Sequence, residues 1–383
     1  MNLKFTEEKA TQAAANRPKM KRSIIDCDIH HYTGLNVLKP YMPRQYLDLM
    51  ETISGTIKPS RAPVAGGFNG GLGGRMVDSF PPGGGPAGGD LAYMQEHYLD
   101  PYNVEYGILT GEGFGMQSSG NYDYAAAICS AVNDYTIDQW LTQDSRLKGS
   151  VFIMKQDPTL SVKEIDRVGG RSDMAQVIVS NGATLPYGNR HYYPIYEACV
   201  RHNLPFTIHV GNEGAGVNGP PTGAGHGSYY IESRAARPQV MMAHLASFIF
   251  EGVFERFPTL KVVLQEAGVF WVVPYLWRLD QDWKALRVQT PWVKKKPSEY
   301  FRDHIRVTTQ PIEEAPNRAS FDQMLENMWA KETLMFCSDY PHWDFDSPLM
   351  ALPRLNDELW DRIYYQNAAE IYNLPQRKAE RKE

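Results

Sequence analysis

Ser23-Ile24-Ile25-Asp26-Cys27-Asp28 is followed directly by Ile29-His30, so a short Ile-rich run ends on two residue types that bind metal ions. Seven similar runs lie downstream: Tyr106–Thr110, Ser150–Lys155, Gln176–Ser180, Phe206–His209, Lys261–Glu266, Ile305–Thr309 and Thr333–Ser338. They are short, mostly apolar and rich in β-branched residues, as expected of strands covered on both faces in a parallel sheet. Helix-period segments separate them at 123–142, 160–168, 192–202, 238–257, 269–287 and 319–329.

Strands alternating with helices predict an α/β chain, a distorted (β/α)8 TIM barrel in one domain. A doubly wound open sheet is the competing arrangement. Barrel chemistry gathers at the C-terminal ends of the strands. Asp28 and His30 end the first run, His209 the fifth, Glu266 the sixth, and Asp339 follows the eighth.

The chain has 383 residues, enough for one large core, and its balance of 43% apolar and 22% charged residues is that of a soluble globular protein. A net charge of −5 gives no reason to expect nucleic acid or an anionic membrane as a partner. No apolar run is long enough for a membrane span. Residues 1–22 read as a polar N-terminal arm without the apolar core of a secretory signal. Residues 54–90 form a Gly/Pro-rich insertion in the 23–374 domain, expected to be a lid or a partner-contact loop. Residues 375–383 read as a charged tail. Cys27, Cys129, Cys199 and Cys337 form no CxxC pair and read as buried reduced thiols of a cytoplasmic protein.

Asp28 and His30 are two apart on a strand, so both side chains can face one ion. A histidine closing an apolar strand (His209) and an aspartate following one (Asp339) complete a donor set of two imidazoles and two carboxylates. With an open position for substrate, such a set forms a catalytic metal site. It suits Zn or Mn, with Fe also compatible. Asp339 and Glu266 are candidate proton carriers. For Glu266, a strand-end ion pair to Arg278 is the bland alternative. His244, on a predicted helix beside Val240 and Phe248, is either a core histidine or a third catalytic group. His342, three residues past Asp339, and Arg278 are candidate substrate contacts, Arg278 otherwise pairing with Asp280 or Asp282. His31, His97, His191, His202, His226 and His304 read as surface or packing residues.

The chain resembles the amidohydrolase superfamily, in the branch called amidohydrolase-2 or ACMSD-like. The likeness rests on Ile25-Asp26-Cys27-Asp28-Ile29-His30, Pro40-Tyr41-Met42-Pro43, Tyr122-Asp123-Tyr124-Ala125, Asn133-Asp134-Tyr135 and Gln156-Asp157-Pro158. It continues in Thr207-Ile208-His209, Gly252-Val253-Phe254-Glu255-Arg256-Phe257-Pro258, Ser338-Asp339-Tyr340-Pro341-His342 and Asn367-Ala368-Ala369. It implies a mononuclear divalent metal, often Zn or Mn, on Asp28, His30, His209 and Asp339, a small organic acid as substrate, and a homodimer or higher homo-oligomer. One departure stands out: decarboxylase members usually carry a histidine where this chain has Glu266.

Three chemistries fit these residues. The first is non-oxidative decarboxylation of an aromatic or unsaturated acid, with Asp339 delivering the proton and Glu266 or His244 in the relay; Phe270, Trp271, Tyr340 and Trp343 would suit a planar substrate. The second is hydrolysis of a C–N, C–O or C–C bond by metal-activated water. The third is oxidation at a two-metal or iron site, with Glu266, His244 and His342 holding a second ion.

Overall fold

The computed structural model describes residues 20–48 and 74–376. The strands are β1 (Ile24–Ile29), β2 (Val104–Leu109), β3 (Leu147–Phe152), β4 (Met174–Ser180), β5 (Phe206–His209), β6 (Val262–Gln265), β7 (Ile305–Thr308) and β8 (Leu334–Met335). Each pairs in parallel with the next, in the order β1 to β8. The sheet then closes on itself. Cys27 N–H donates to Phe336 O at 3.1 Å and His30 N–H to Tyr340 O at 2.7 Å. An open doubly wound sheet is thereby excluded.

Three predicted strands start early, β4 at Met174 rather than Gln176. β2 begins at Val104 and β3 at Leu147, because Glu105, Lys148 and Gly149 hide the β-pattern there. β8 is shorter than predicted, since the Phe336 N–H is taken by Ile363 O at 2.9 Å.

The longer helices are α1 (Tyr122–Thr136), α2 (Pro158–Val168), α3 (Tyr193–Arg201), α4 (Tyr230–Phe250), α5 (Val272–Leu286), α6 (Pro297–His304) and α7 (Arg318–Asn327). Asp157 caps α2, accepting from Thr159 N at 2.9 Å and Leu160 N at 3.1 Å. α4 begins eight residues before the predicted start at 238. Glu232 caps it by accepting from Ser228 N and Tyr229 N, each at 2.7 Å, which outweighs the lost donor at Pro238. It ends before Gly252, whose φ of 75° lies in the left-handed region.

A large apolar cluster fills the space between strands and helices. A second joins Ile25, Ile108, Ala175, Val263 and Met335 of the strands to Tyr365, Ala368 and Ile371 of the C-terminal helices. Buried polar bonds tie adjacent strands together: Gln176 Nε2 donates to Ser150 Oγ at 2.9 Å, and Thr207 Oγ1 to Gln176 Oε1 at 2.6 Å. All four cysteines are free and buried. The expected arm lies outside the described residues up to 19, the tail from 377 onward, and the insertion over 54–73. The described part of the insertion runs to the strand ends, where Met76 N–H donates to Pro341 O at 3.0 Å.

Candidate metal centre

Asp28 and His30 leave β1 at a register shift between Asp26 and Ile29. Both face His209 from β5. His30 Nε2 lies 3.2 Å from Asp28 Oδ1, and His209 Nε2 lies 3.3 Å from Asp28 Oδ2. Asp339 closes the group, its Oδ1 3.1 Å from His30 Nε2. The other ring nitrogens are engaged: His30 Nδ1 with Gly111 O at 2.6 Å and His209 Nδ1 with Val210 O at 2.7 Å. A carbonyl accepts only, so Nδ1 carries the proton and Nε2 turns its lone pair toward Asp28, the arrangement used by metal-binding histidines.

Among the described residues, Asp28 Oδ1 and Oδ2, His30 Nε2, His209 Nε2 and Asp339 Oδ2 are buried without a hydrogen-bond partner. Five orphaned donor atoms at one place would be costly without a cation. Ligand atoms of Asp28, His30 and His209 lie within 4.8 Å of one another. The donor set therefore fits a divalent metal.

Burial opposes charge on Asp28, but His30 and His209 outweigh it and hold its carboxyl below the usual carboxylate range. Burial likewise opposes charge on His30, and Asp28 and Asp339 outweigh it, raising its proton affinity. A metal ion would take the place of those protons. Burial raises Asp339 and, aided by the Asp339 charge, Glu266. Both sit on left-handed backbone, φ 60° at Asp339 and 59° at Glu266. Such strain costs about 1–3 kcal/mol per residue and gathers at functional sites. Here Asp339 faces His30 and Glu266 faces His209.

Asp26 secures this arrangement. Its carboxylate accepts from Ser338 N at 3.0 Å, Ser338 Oγ at 2.6 Å, Asp28 N at 3.1 Å and the Tyr98 hydroxyl. It thus ties β1 to the segment carrying Asp339. Burial nevertheless pushes its carboxyl up to about 7.

The cluster opens into a cavity of about 430 Å³ at the strand ends. Three guanidinium groups border it, each paired with a carboxylate. Arg237 meets Glu266 at 2.7 Å, Arg234 meets Asp344, and Arg75 meets Glu112. Phe114 stacks on His209, ring centroids 4.8 Å apart and 11° from parallel. Trp343, 52% exposed, stands at the rim.

The structure thus brings Asp28, His30, His209, Glu266, Asp339 and His342 together. His342 Nδ1 is hydrogen-bonded to Asp339 Oδ1. Two expectations are corrected. His244 is buried in α4, away from the cavity: its Nε2 donates to Asn181 O at 2.7 Å and its Nδ1 accepts from Tyr187 N at 3.1 Å. Both nitrogens are used, and burial pushes the ring down to about 4, so it is a neutral core histidine. Arg278 lies on the exposed face of α5, its guanidinium 3.8 Å from Asp282, and it reaches neither the cavity nor Glu266. The ion pair foreseen for Glu266 exists, but with Arg237.

Arg234 and Arg237 were not foreseen. The helix was expected to start after them, although their spacing of three residues puts both on one helical face. Lys155, just beyond β3, was also passed over. It is fully buried and donates to Ser180 O at 2.9 Å, Ser180 Oγ at 2.5 Å and Gly182 O. Its amine supports the loop after β4.

The model of the amidohydrolase family matches residues 25–374. A gamma-resorcylate decarboxylase of Polaromonas sp. (strain JS666 / ATCC BAA-500) is 24% identical over 271 residues, covering 67% of this chain and 79% of that protein. A dihydroxybenzoic acid decarboxylase from Polaromonas sp. JS666, solved with manganese and 2-nitroresorcinol, has a TM-score of 0.63 at 17% identity, covering 92% and 97% of the two chains. A 5-carboxyvanillate decarboxylase from Novosphingobium aromaticivorans DSM 12444, complexed with manganese and 4-hydroxy-3-methoxy-5-nitrobenzoic acid, has a TM-score of 0.67 at 17% identity, covering 94% and 99%. At these identities the structural likeness shows the barrel fold.

Proposed function

Because the chain belongs to the amidohydrolase family, we propose that it is a metal-dependent carboxy-lyase removing CO2, without oxidation, from an aromatic carboxylic acid. One observation carries this reading. Orphaned buried donors of Asp28, His30, His209 and Asp339 converge at the base of a cavity bounded by aromatic rings and guanidinium groups. The curated and solved relatives named above, all decarboxylases of arene acids, support it.

Asp28, His30, His209 and Asp339 would hold the metal. When bound, the cation supplies Lewis acidity toward the carboxylate and a neighbouring oxygen of the substrate. Phe114 offers a flat apolar wall to a planar ring. Arg234 and Arg237 orient the substrate's oxygens. Asp339, raised by burial, delivers a proton to the ring carbon. The C–C bond then breaks, its electron pair returns to the ring, and CO2 departs. Glu266, likewise raised, relays the next proton to Asp339. His342 holds Asp339 in orientation.

Manganese is favoured over zinc or iron, since the two solved relatives named above hold it. A homodimer or higher homo-oligomer is supported by apolar side chains left exposed on and beyond α5: Trp277, Leu286, Val288 and Trp292. Buried free thiols are consistent with the cytoplasm. No described helix is long and apolar enough to cross a membrane.

Glu266 itself favours a second reading, hydrolysis, because a carboxylate 3.3 Å from His209 Nε2 is placed to take a proton from water. The test is manganese-loaded protein with a panel of hydroxylated benzoic acids, and with their esters and amides, in 18O-water. CO2 release with formation of the arene is expected. A product carboxylate or alcohol carrying 18O, with no CO2, would establish hydrolysis instead.

A further inference from the structure

A second cavity of about 400 Å³ adjoins the one at the metal centre, and the two share Arg234, Arg237 and Glu266 as lining residues. The chemistry changes across this shared wall. On the far side the lining is largely apolar: Ile231, Ala235 and Pro238 from α4, Ala267 after β6, and Pro311 and Ile312 after β7. Ile231 is 74% exposed, an apolar group left in water beside a catalytic mouth.

The polar groups at the wall have partners that hold them there. Glu266 Oε1 accepts from Arg237 at 2.7 Å, while Oε2 faces His209. The Arg234 guanidinium pairs with Asp344 and lies 5.1 Å from the centre of the Trp343 ring. Glu313, at the far end, is committed to the α5 entrance, accepting from Val269 N at 3.0 Å and Phe270 N at 2.8 Å. The second cavity therefore offers apolar surface with few free polar groups. Concave apolar surface next to a few fixed polar groups is how proteins bind the body of a small molecule.

We propose that this annex is a substrate subsite: the acid head of the substrate sits at the metal centre, and an extended apolar substituent passes the Arg234–Arg237 wall into the annex. The substrate class is then an arene acid bearing an alkyl or aryl tail, rather than a bare hydroxybenzoate. The inference rests on the decarboxylase reading only for the identity of the head group. The annex itself follows from the three lining residues that the two cavities share.

The test compares 2-hydroxybenzoate with its 4-pentyl and 5-pentyl derivatives, by calorimetric titration of the manganese-loaded protein and, in parallel, by CO2 release. At least one pentyl acid should bind about tenfold or more tightly than the parent, because each buried methylene favours the bound state. Ala235→Phe fills the annex from an exposed helical position. It should remove that advantage and leave affinity for 2-hydroxybenzoate within about twofold. Ile312→Ala should reduce the advantage by a smaller factor. Equal affinities of all three acids, a parallel loss of all of them in Ala235→Phe, or no binding by any overturns the proposal. A pentyl preference without CO2 release leaves the subsite standing and removes the decarboxylase reading. CO2 release without a pentyl preference does the reverse.

Discussion

Glu266 reaches two partners at once: its Oε1 accepts from Arg237 at 2.7 Å, and its Oε2 lies 3.3 Å from His209 Nε2. One side chain thus joins the metal centre to the guanidinium wall. Replacing Arg237 with Gln removes the charge that opposes the upward push of burial on this carboxyl. We expect a loss of about 1.5–3 kcal/mol of stability, the scale of a hydrogen bond to a charged group, and a fall in kcat/KM. In a Glu266→Gln background the same substitution should cost less in both respects. A double-mutant cycle in urea unfolding measures the coupling, and strict additivity would disprove it.

Removing the metal should abolish activity, and manganese should restore it. Metal bound only by the folded chain stabilises it by about 2.7 kcal/mol at one hundred times its dissociation constant. Thermal unfolding should therefore shift upward with added manganese. His209→Ala should lose both the bound metal and the shift. Elemental analysis showing unchanged metal content in that variant would contradict the ligand assignment.

Arg278→Ala should be silent. Its guanidinium is exposed and its ion pair with Asp282 is long, at 3.8 Å, so stability should change by no more than about 0.5 kcal/mol. kcat and KM should stay at wild-type values. A rise in KM would restore this arginine as a substrate contact.

His244→Leu should destabilise without touching the chemistry. It strands Asn181 O and Tyr187 N–H, at about 1–3 kcal/mol for each unsatisfied buried group. The pH profile of kcat should keep its shape. Loss of one limb in a variant that is still folded would show that the imidazole moves a proton after all.

Lys155 predicts a pH dependence of stability. Burial pushes its amine down to about 7, whereas an unfolded lysine holds its proton to about 10.4. Above pH 7 the unfolded chain binds more protons than the folded one, so stability rises with pH through this interval. Below it the penalty for burying the charged amine is felt in full. Denaturant midpoints of the manganese-saturated protein should climb between about pH 7 and 8.5, under the thiol and phenol range. Lys155→Met should flatten that climb. An equally steep rise in the variant would assign the effect elsewhere.

Much of the barrel was legible because parallel strands buried on both faces must be short, apolar and β-branched. Phe206–His209 carries that pattern over its full length, and Gln176–Ser180 over all but the first two residues of β4. Where charge or glycine interrupts it, as at Glu105 and Lys148-Gly149, the strand starts escaped notice. Asp28, His30, His209 and Asp339 were legible for a related reason: a polar residue closing an apolar strand needs a partner, and in a closed barrel the strand ends meet. His244 misled because an apolar helix face looks the same whether the histidine serves a core or a site. Arg234 and Arg237 were hidden behind Pro238, taken as a helix start when the cap at Glu232 carries the helix across it.

The order of apolar runs and the residues that close them determined the barrel and its inward-facing donors, because alternation and burial are local properties of the chain. Which charge answers Glu266, which histidine stays in the core and where a second cavity opens were decided only by the tertiary structure. Those outcomes depend on where α4 packs: its Arg237 reaches Glu266 after β6, and its His244 reaches Asn181 after β4. That packing brings together residues tens of positions apart, and no short-range pattern records it.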